Sequence, residues 1–138
     1  MSSVKYTYVD GCNNEYTLGV DPRTGEAEFD YRPITRMESS SGDYSGGNPA
    51  HGRLAKPLVD QFAQRFEQLL AATANHTTER TMGSAIFRLK KSGVTTASFL
   101  LPFRDAQLEQ WNALVDSLKV AEGVHQSPGE DEEEMGMD

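Results

Sequence analysis

The chain has 138 residues, with 21 Asp and Glu against 13 Lys and Arg, which gives a formal net charge of −8. This length is typical of one domain, and no apolar run approaches the roughly 18 residues that a membrane-spanning helix needs. Cys12 is the only cysteine, which excludes an intrachain disulfide. No apolar signal segment follows Met1, so we expect a cytoplasmic protein.

The acidic charge is concentrated at the C-terminal end of the chain. Residues 120–138 contain seven of the 21 acids and no Lys or Arg, so residues 1–119 contain 14 acids and 13 bases, a net charge of −1. Phosphate binding requires clustered cations, and only Arg88, Lys90 and Lys91 approach such a cluster. We therefore expect no direct nucleic-acid binding. Residues 1–123 are interpreted as a single α+β domain and residues 124–138 as a disordered acidic tail.

The first third of the chain is predicted to form three antiparallel strands. Strand-favouring residues alternate with polar ones over residues 4–9, 16–20 and 26–32. Turn-forming residues separate these runs, with Gly and Asn at 11–14 and Pro and Gly at 21–25. Short turns between alternating runs predict a meander with one aromatic face and one polar face.

The second half of the chain is predicted to contain two helices and a hairpin. An apolar stripe at helical spacing begins after Pro57 and ends near Asn75. Two alternating runs flank the turn at Ser92-Gly93, and a second apolar stripe follows Asp105, a suitable N-cap. The order βββ-loop-α-ββ-α predicts a two-layer α+β sandwich, in which a five-stranded, mostly antiparallel sheet carries both helices on one face.

The connection between the third strand and the first helix is a candidate functional loop, because it is long and its sequence has no helical or strand periodicity. Connections beyond about 12–15 residues are usually functional or disordered, and residues 39–47 are rich in Ser and Gly. They lack the Lys and the strand–loop–helix context of a phosphate-binding loop. The more economical interpretation is an ordered loop anchored by Tyr44. The candidate ligand or interaction residues in and near this loop are Ser41, Asp43, Tyr44, Ser45, His51 and Arg80.

No segment carries a recognisable catalytic or metal-binding motif. The three histidines, His51, His76 and His125, are far apart in sequence and nothing in their spacing suggests a metal site, so we expect neither a metal nor another cofactor. No nucleophile elbow occurs, and Cys12 has no adjacent cation that would lower its pKa. We therefore predict no catalytic residue.

These observations favour a non-catalytic binding or protein-interaction module that uses the 36–54 loop and an exposed face or edge of the sheet. Its partner would be another protein or a second copy of the chain, with no membrane involved. One alternative is a small hydrolase or transferase with its site at residues 39–47, using Tyr44, Ser45, His51 and Arg80. A second alternative is partner binding or nucleic-acid charge mimicry by the acidic tail at residues 130–134.

Overall fold

A computed structural model describes residues 3–35, 46–78, 83–102 and 105–126. Within these ranges the chain forms seven strands, two α-helices and one 3₁₀ turn at Thr73–Asn75. The strands are β1 (Val4–Val9), β2 (Glu15–Val20), β3 (Ala27–Arg32), β4 (Ala50–Leu54), β5 (Ala85–Lys91), β6 (Val94–Leu101) and β7 (Val124–Gln126), and the helices are α1 (Lys56–Ala71) and α2 (Ala106–Leu118).

All seven strands belong to one sheet with the order β6-β5-β1-β2-β3-β4-β7, and every neighbouring pair is antiparallel. The α+β class and the two helices are confirmed. The predicted count of five strands is wrong, because β4 and β7 were not anticipated. β4 lies inside the connection that was predicted to have no regular structure, and β7 lies inside the predicted tail, of which residues 127–138 are outside the described residues.

Small inward-facing residues and short length explain why β4 and β7 were not predicted from the sequence. Ala50 and Leu54 are buried, but Gly52 stands between them and interrupts the apolar alternation. Gly52 is needed there because a Cβ atom would overlap the backbone of Gly123, immediately before β7. β7 has only three residues, and its pairing with β4 joins parts of the chain about 70 residues apart.

The core lies between one face of the sheet and the two helices. Tyr6 on β1 packs edge-on against Phe62 and Phe66 of α1, with ring centroids 5.4 and 4.9 Å apart. Tyr8, two residues further along β1, meets Trp111 of α2 at 5.5 Å. Residues two apart on a strand point to the same side, so both helices cover the same face of the sheet.

The opposite face of the sheet carries the predicted polar residues. The register sets Lys5 opposite Lys90, and Asp30 opposite His51. The side chains that the sequence predicted on this face alternate with the buried ones: Lys5, Thr7, Glu28, Asp30, Arg88 and Lys90.

Candidate functional site

A cleft of about 710 Å³ opens on the helix-bearing side of the sheet, between the ends of β1–β3 and helix α2. We call it the tyrosine cleft, because Tyr8, Tyr16 and Tyr31 line it. The remaining lining residues that matter for its chemistry are Asp10, Asn14, Gly46, Asp105, Glu109, Asn112, Asp116 and Lys119.

Sheet register brings the three tyrosines into one row. Tyr8 pairs with Tyr16 across β1 and β2, and Tyr16 pairs with Tyr31 across β2 and β3. The ring centroids are 5.3 Å apart in the first pair and 4.6 Å in the second. Cross-strand aromatic neighbours of this kind stabilise a sheet, and here they also form a rigid aromatic wall.

Two of the three hydroxyl groups are held by hydrogen bonds. The Tyr8 hydroxyl donates to Oδ1 of Asn112 on α2, 104 residues away in sequence. The Tyr31 hydroxyl donates to the Gly46 carbonyl at 2.6 Å. These bonds tie the sheet to α2 at one end of the row and to the 36–54 loop at the other.

The base of the long connection is closed beside the cleft. The Gly46 N–H donates to the Ile34 carbonyl at 3.0 Å, and the Ile34 N–H donates to Asn14 Oδ1 at 2.8 Å. A Cβ atom at residue 46 would overlap the Asn14 side chain and crowd Pro33. Glycine therefore allows the chain to pass close to the turn between β1 and β2.

The hydroxyl of Tyr16, in the middle of the row, has no hydrogen-bond partner in the described part of the chain. The residue is only 4% exposed, and it lines the cleft. Burial, reinforced by Tyr31 and by the carboxylates of Asp10 and Asp116, raises the pKa of Tyr16 well above its ordinary value. The group is therefore a protonated, neutral phenol near neutral pH.

Acidic groups predominate in the described part of the cleft lining. It includes the carboxylates of Asp10, Asp105, Glu109 and Asp116 and one ammonium group, that of Lys119. Two of the acids also have local structural tasks. Asp10 accepts from the backbone N–H of Cys12 and of Asn14 in the turn after β1, and Asp105 caps α2 by accepting from the Gln107 N–H at 2.8 Å.

Lys119 lies across the aromatic wall. Its Nζ atom is 3.9 Å from the ring centroid of Tyr31 and 5.2 Å from that of Tyr16, within the range of a cation–π interaction. It also pairs with Asp116 at 3.2 Å. The wall of the cleft already accommodates an ammonium group.

The residues predicted as a site do not assemble around this cleft where they can be placed. His51 is exposed on the helix-free face of the sheet, where Asp30 and His125 flank it in register. Ser41, Asp43, Tyr44, Ser45 and Arg80 lie outside the described residues. Within the described ranges, no group of three or more His, Cys, Asp or Glu residues is arranged to hold a metal ion.

A second cleft, of about 530 Å³, runs between the two helices on the outer surface. Glutamines dominate its lining, and Arg65 bridges it with a long 3.4 Å hydrogen bond to Gln110. It contains no buried polar group that lacks a partner, as far as the described residues show. The tyrosine cleft is the stronger candidate site.

No family model, curated protein sequence or solved structure matches this chain. In the part of the chain that the structure describes, no helix has both the length and the apolar character needed to cross a membrane. A function for the tyrosine cleft is therefore argued from the geometry of the cleft alone.

Sequence reasoning placed the tyrosines correctly on strands but did not connect them. The short turns of the meander set Tyr8 opposite Tyr16 and Tyr16 opposite Tyr31. A register drawn from those turns would have revealed the tyrosine row. No comparable signal linked the row to Asn112 and Lys119, because that contact depends on how α2 packs against the sheet.

Proposed function

We propose that the chain is a non-catalytic binding protein whose ligand site is the tyrosine cleft. The observation that carries the proposal is Tyr16, a residue only 4% exposed that lines the cleft and whose hydroxyl has no hydrogen-bond partner among the described residues. A ligand that reached this hydroxyl would recover the hydrogen bond that the folded chain leaves unmade.

The rigidity of the cleft supports a binding role. Its aromatic wall belongs to three central strands, and Tyr8 and Tyr31 are fixed at their hydroxyl groups. A site whose side chains are already held in place loses little conformational freedom when it binds a ligand. A concave cavity with an aromatic wall and a few oriented polar groups is the usual form of a small-ligand site.

The tyrosine cleft lies at the base of the 36–54 loop, which the sequence pattern predicted as the interaction loop. Gly46 lines the cleft, whereas His51 belongs to the opposite face of the sheet. The hydrolase hypothesis needs His51 to converge with Tyr44, Ser45 and Arg80, and no observation on the described residues favours it. Partner binding by the acidic tail concerns residues outside the described ranges and stays a prediction.

A matched pair of variants tests the binding role. Ala106 lines the tyrosine cleft and Ala113 lines the cleft between the helices, and both are exposed on α2. We expect amide NMR spectra to show a cleft-centred response to at least one probe in a panel of n-butylammonium, n-butanol, butyrate and glucose. Ala106→Phe should abolish that response by filling the cleft, and Ala113→Phe should preserve it. A panel that leaves the cleft residues of the wild-type protein unchanged contradicts the proposal.

The free edge of β6 favours self-association as a second candidate function. β6 is the last strand on its side of the sheet, and among the described residues its outer edge is met only at the C-terminal end, where the Thr77 N–H donates to the Leu100 carbonyl at 3.0 Å. The strand contains no charged residue, although charges commonly guard exposed edges against pairing. Val94, at its start, is 64% exposed.

Light scattering over a concentration series tests edge pairing. We expect a dimer that Val94→Lys weakens, because a charge at the edge opposes a second strand. Val120→Lys is the control, since Val120 is 75% exposed and lies after α2, away from the edge. A wild-type protein that stays monomeric at every concentration would rule out this candidate.

A further inference from the structure

We propose that the tyrosine cleft binds an alkylammonium group, as carried by a free primary amine or by a lysine side chain of a peptide. This inference rests on the proposed binding function and names the chemical class of its ligand. Three independent features of the cleft support it: the polarity of its hydrogen-bonding groups, its charge and the position of Lys119.

The hydroxyl groups of the cleft are arranged as acceptors. A tyrosine hydroxyl has one hydrogen to donate and also accepts through its oxygen. Tyr8 donates its hydrogen to Asn112, and Tyr31 donates its hydrogen to the Gly46 carbonyl. With its hydrogen committed in this way, the Tyr8 oxygen can only accept from a ligand. An ammonium group is the complementary partner, because it has three donors and no acceptor.

Tyr16 provides the central contact. Its hydroxyl lies between those of its two neighbours in the tyrosine row and has no partner among the described residues. Its oxygen accepts from the ligand N–H, and its own hydrogen remains free to bond a water molecule or an acceptor on the ligand. A bond to a charged donor is stronger than one between neutral groups.

The charge of the lining selects a cation. Among the described lining residues, four carboxylates face one ammonium group, which gives this part of the lining a net charge of −3. The sign of this potential attracts cations and opposes anions, and the low-dielectric aromatic wall strengthens it. A carboxylate or phosphate ligand would meet like charge from Asp10 and Asp116, next to Tyr16.

Lys119 shows how an ammonium group fits the aromatic wall. Its Nζ atom lies against the faces of Tyr31 and Tyr16, at 3.9 and 5.2 Å from the ring centroids, and beside Asp116. Aromatic faces and a carboxylate are together the environment in which proteins hold ammonium ligands. A ligand ammonium would share this wall with Lys119 or displace it toward solvent.

The test compares three probes of similar size and different charge: n-butylammonium, n-butanol and butyrate. In amide NMR titrations we expect n-butylammonium to shift signals around the cleft and to bind at least about tenfold more tightly than the other two. If n-butanol or butyrate binds the cleft as well as n-butylammonium, the inference is overturned while the binding function stands. If none of the three probes nor glucose shifts the cleft signals, both proposals fail.

Two variants with matched controls identify the contacts. Tyr16→Phe removes only the hydroxyl and should weaken n-butylammonium binding about tenfold, the value of one charge-assisted hydrogen bond. Tyr6→Phe makes the same change at a buried tyrosine outside the cleft and should leave binding unaltered. Equal affinities for the wild type and Tyr16→Phe would overturn the inference.

Removing the resident ammonium group provides an independent readout. Lys119→Met should tighten n-butylammonium binding several-fold, because it frees the face of Tyr31 and increases the negative charge of the lining. Lys90→Met, on the helix-free face, is the control and should have little effect. An affinity that Lys119→Met lowers or leaves unchanged would count against an ammonium site on this wall.

The source of the ammonium group is distinguished by a third titration. A blocked peptide with one lysine between two alanines presents the same ammonium group on a backbone. Tighter binding of the peptide than of n-butylammonium assigns the site to a lysine side chain of a protein partner. Equal or weaker binding of the peptide assigns the site to a free amine. Failure of both compounds to bind contradicts the inference.

Discussion

Replacing Trp111 with alanine is expected to lower the free energy of unfolding by about 3–5 kcal/mol, the usual cost of deleting a large buried aromatic side chain. Trp111 is fully buried and lies at the centre of the core. Its indole contacts Phe62 of α1 at 4.7 Å and Phe87 of β5 at 5.3 Å between ring centroids. Loss of these contacts leaves a cavity where both helices meet the sheet. Urea unfolding followed by circular dichroism measures the change.

The indole N–H of Trp111 allows a second variant, Trp111→Phe, to be compared with Trp111→Ala. It is buried and has no hydrogen-bond partner within the described residues. Trp111→Phe keeps most of the apolar contact and removes an N–H that makes no bond, so it should cost much less than Trp111→Ala. Val120→Ala, at an exposed position, is the control and should stay within about 0.5 kcal/mol of the wild type. Equal costs for the two Trp111 variants would contradict this picture of the core.

Alkaline pH is expected to unfold the protein cooperatively above about pH 10. Burial raises the pKa values of Tyr6, Tyr8 and Tyr16 above the ordinary value, and nearby acids raise them further. Each of these phenols ionises more easily in the unfolded chain. The stability is therefore complete below the unfolded pKa of about 10 and falls as the pH rises through it, by at most about 1.4 kcal/mol per pH unit for each phenol, until the pH reaches the raised pKa of that phenol in the folded protein.

Parallel measurements of tyrosinate absorbance and circular dichroism test this expectation. We expect part of the tyrosine signal to appear only together with the loss of secondary structure. Tyr16→Phe removes one of the phenols and should make the stability fall less steeply with pH. If all tyrosines ionise near pH 10 while the secondary structure persists, the phenols are not buried in the way described here.

Local patterns predicted most of the secondary structure. β1 has the predicted bounds, β2 begins one residue before its predicted run, β3 begins one residue after the start of its predicted run, and Asp105 is the N-cap of α2 as expected. The first helix is shorter than its apolar stripe. It ends at Ala71, and a 3₁₀ turn leads to His76, whose Nε2 hydrogen-bonds to the Leu69 carbonyl at 2.8 Å. His76 bonds to a carbonyl group near the end of the helix but lies outside it, so the helical periodicity of the sequence does not show where the helix ends.

Features that depend on long-range pairing could not be predicted from local patterns. β4 and β7 are strands because they pair with β3 and with each other. The tyrosine cleft is similar, since Tyr8 and Asn112 meet only when α2 packs on the sheet. The distribution of charge along the sequence did not predict the position of the cleft either. The strongest acidic run lies at the end of the chain, whereas the acids of the cleft are dispersed from Asp10 to Asp116.

The most direct test of the tyrosine cleft as a ligand site is an amide NMR titration of the wild-type protein with n-butylammonium. The predicted result is a saturable set of shifts at Gly11, Gly46, Gly83 and the side-chain amide of Asn112, all of which line the cleft. Signals from the helix-free face, such as those of Thr7 and Arg88, should not move. Shifts confined to that face, or no saturable shift at the cleft, would contradict the assignment.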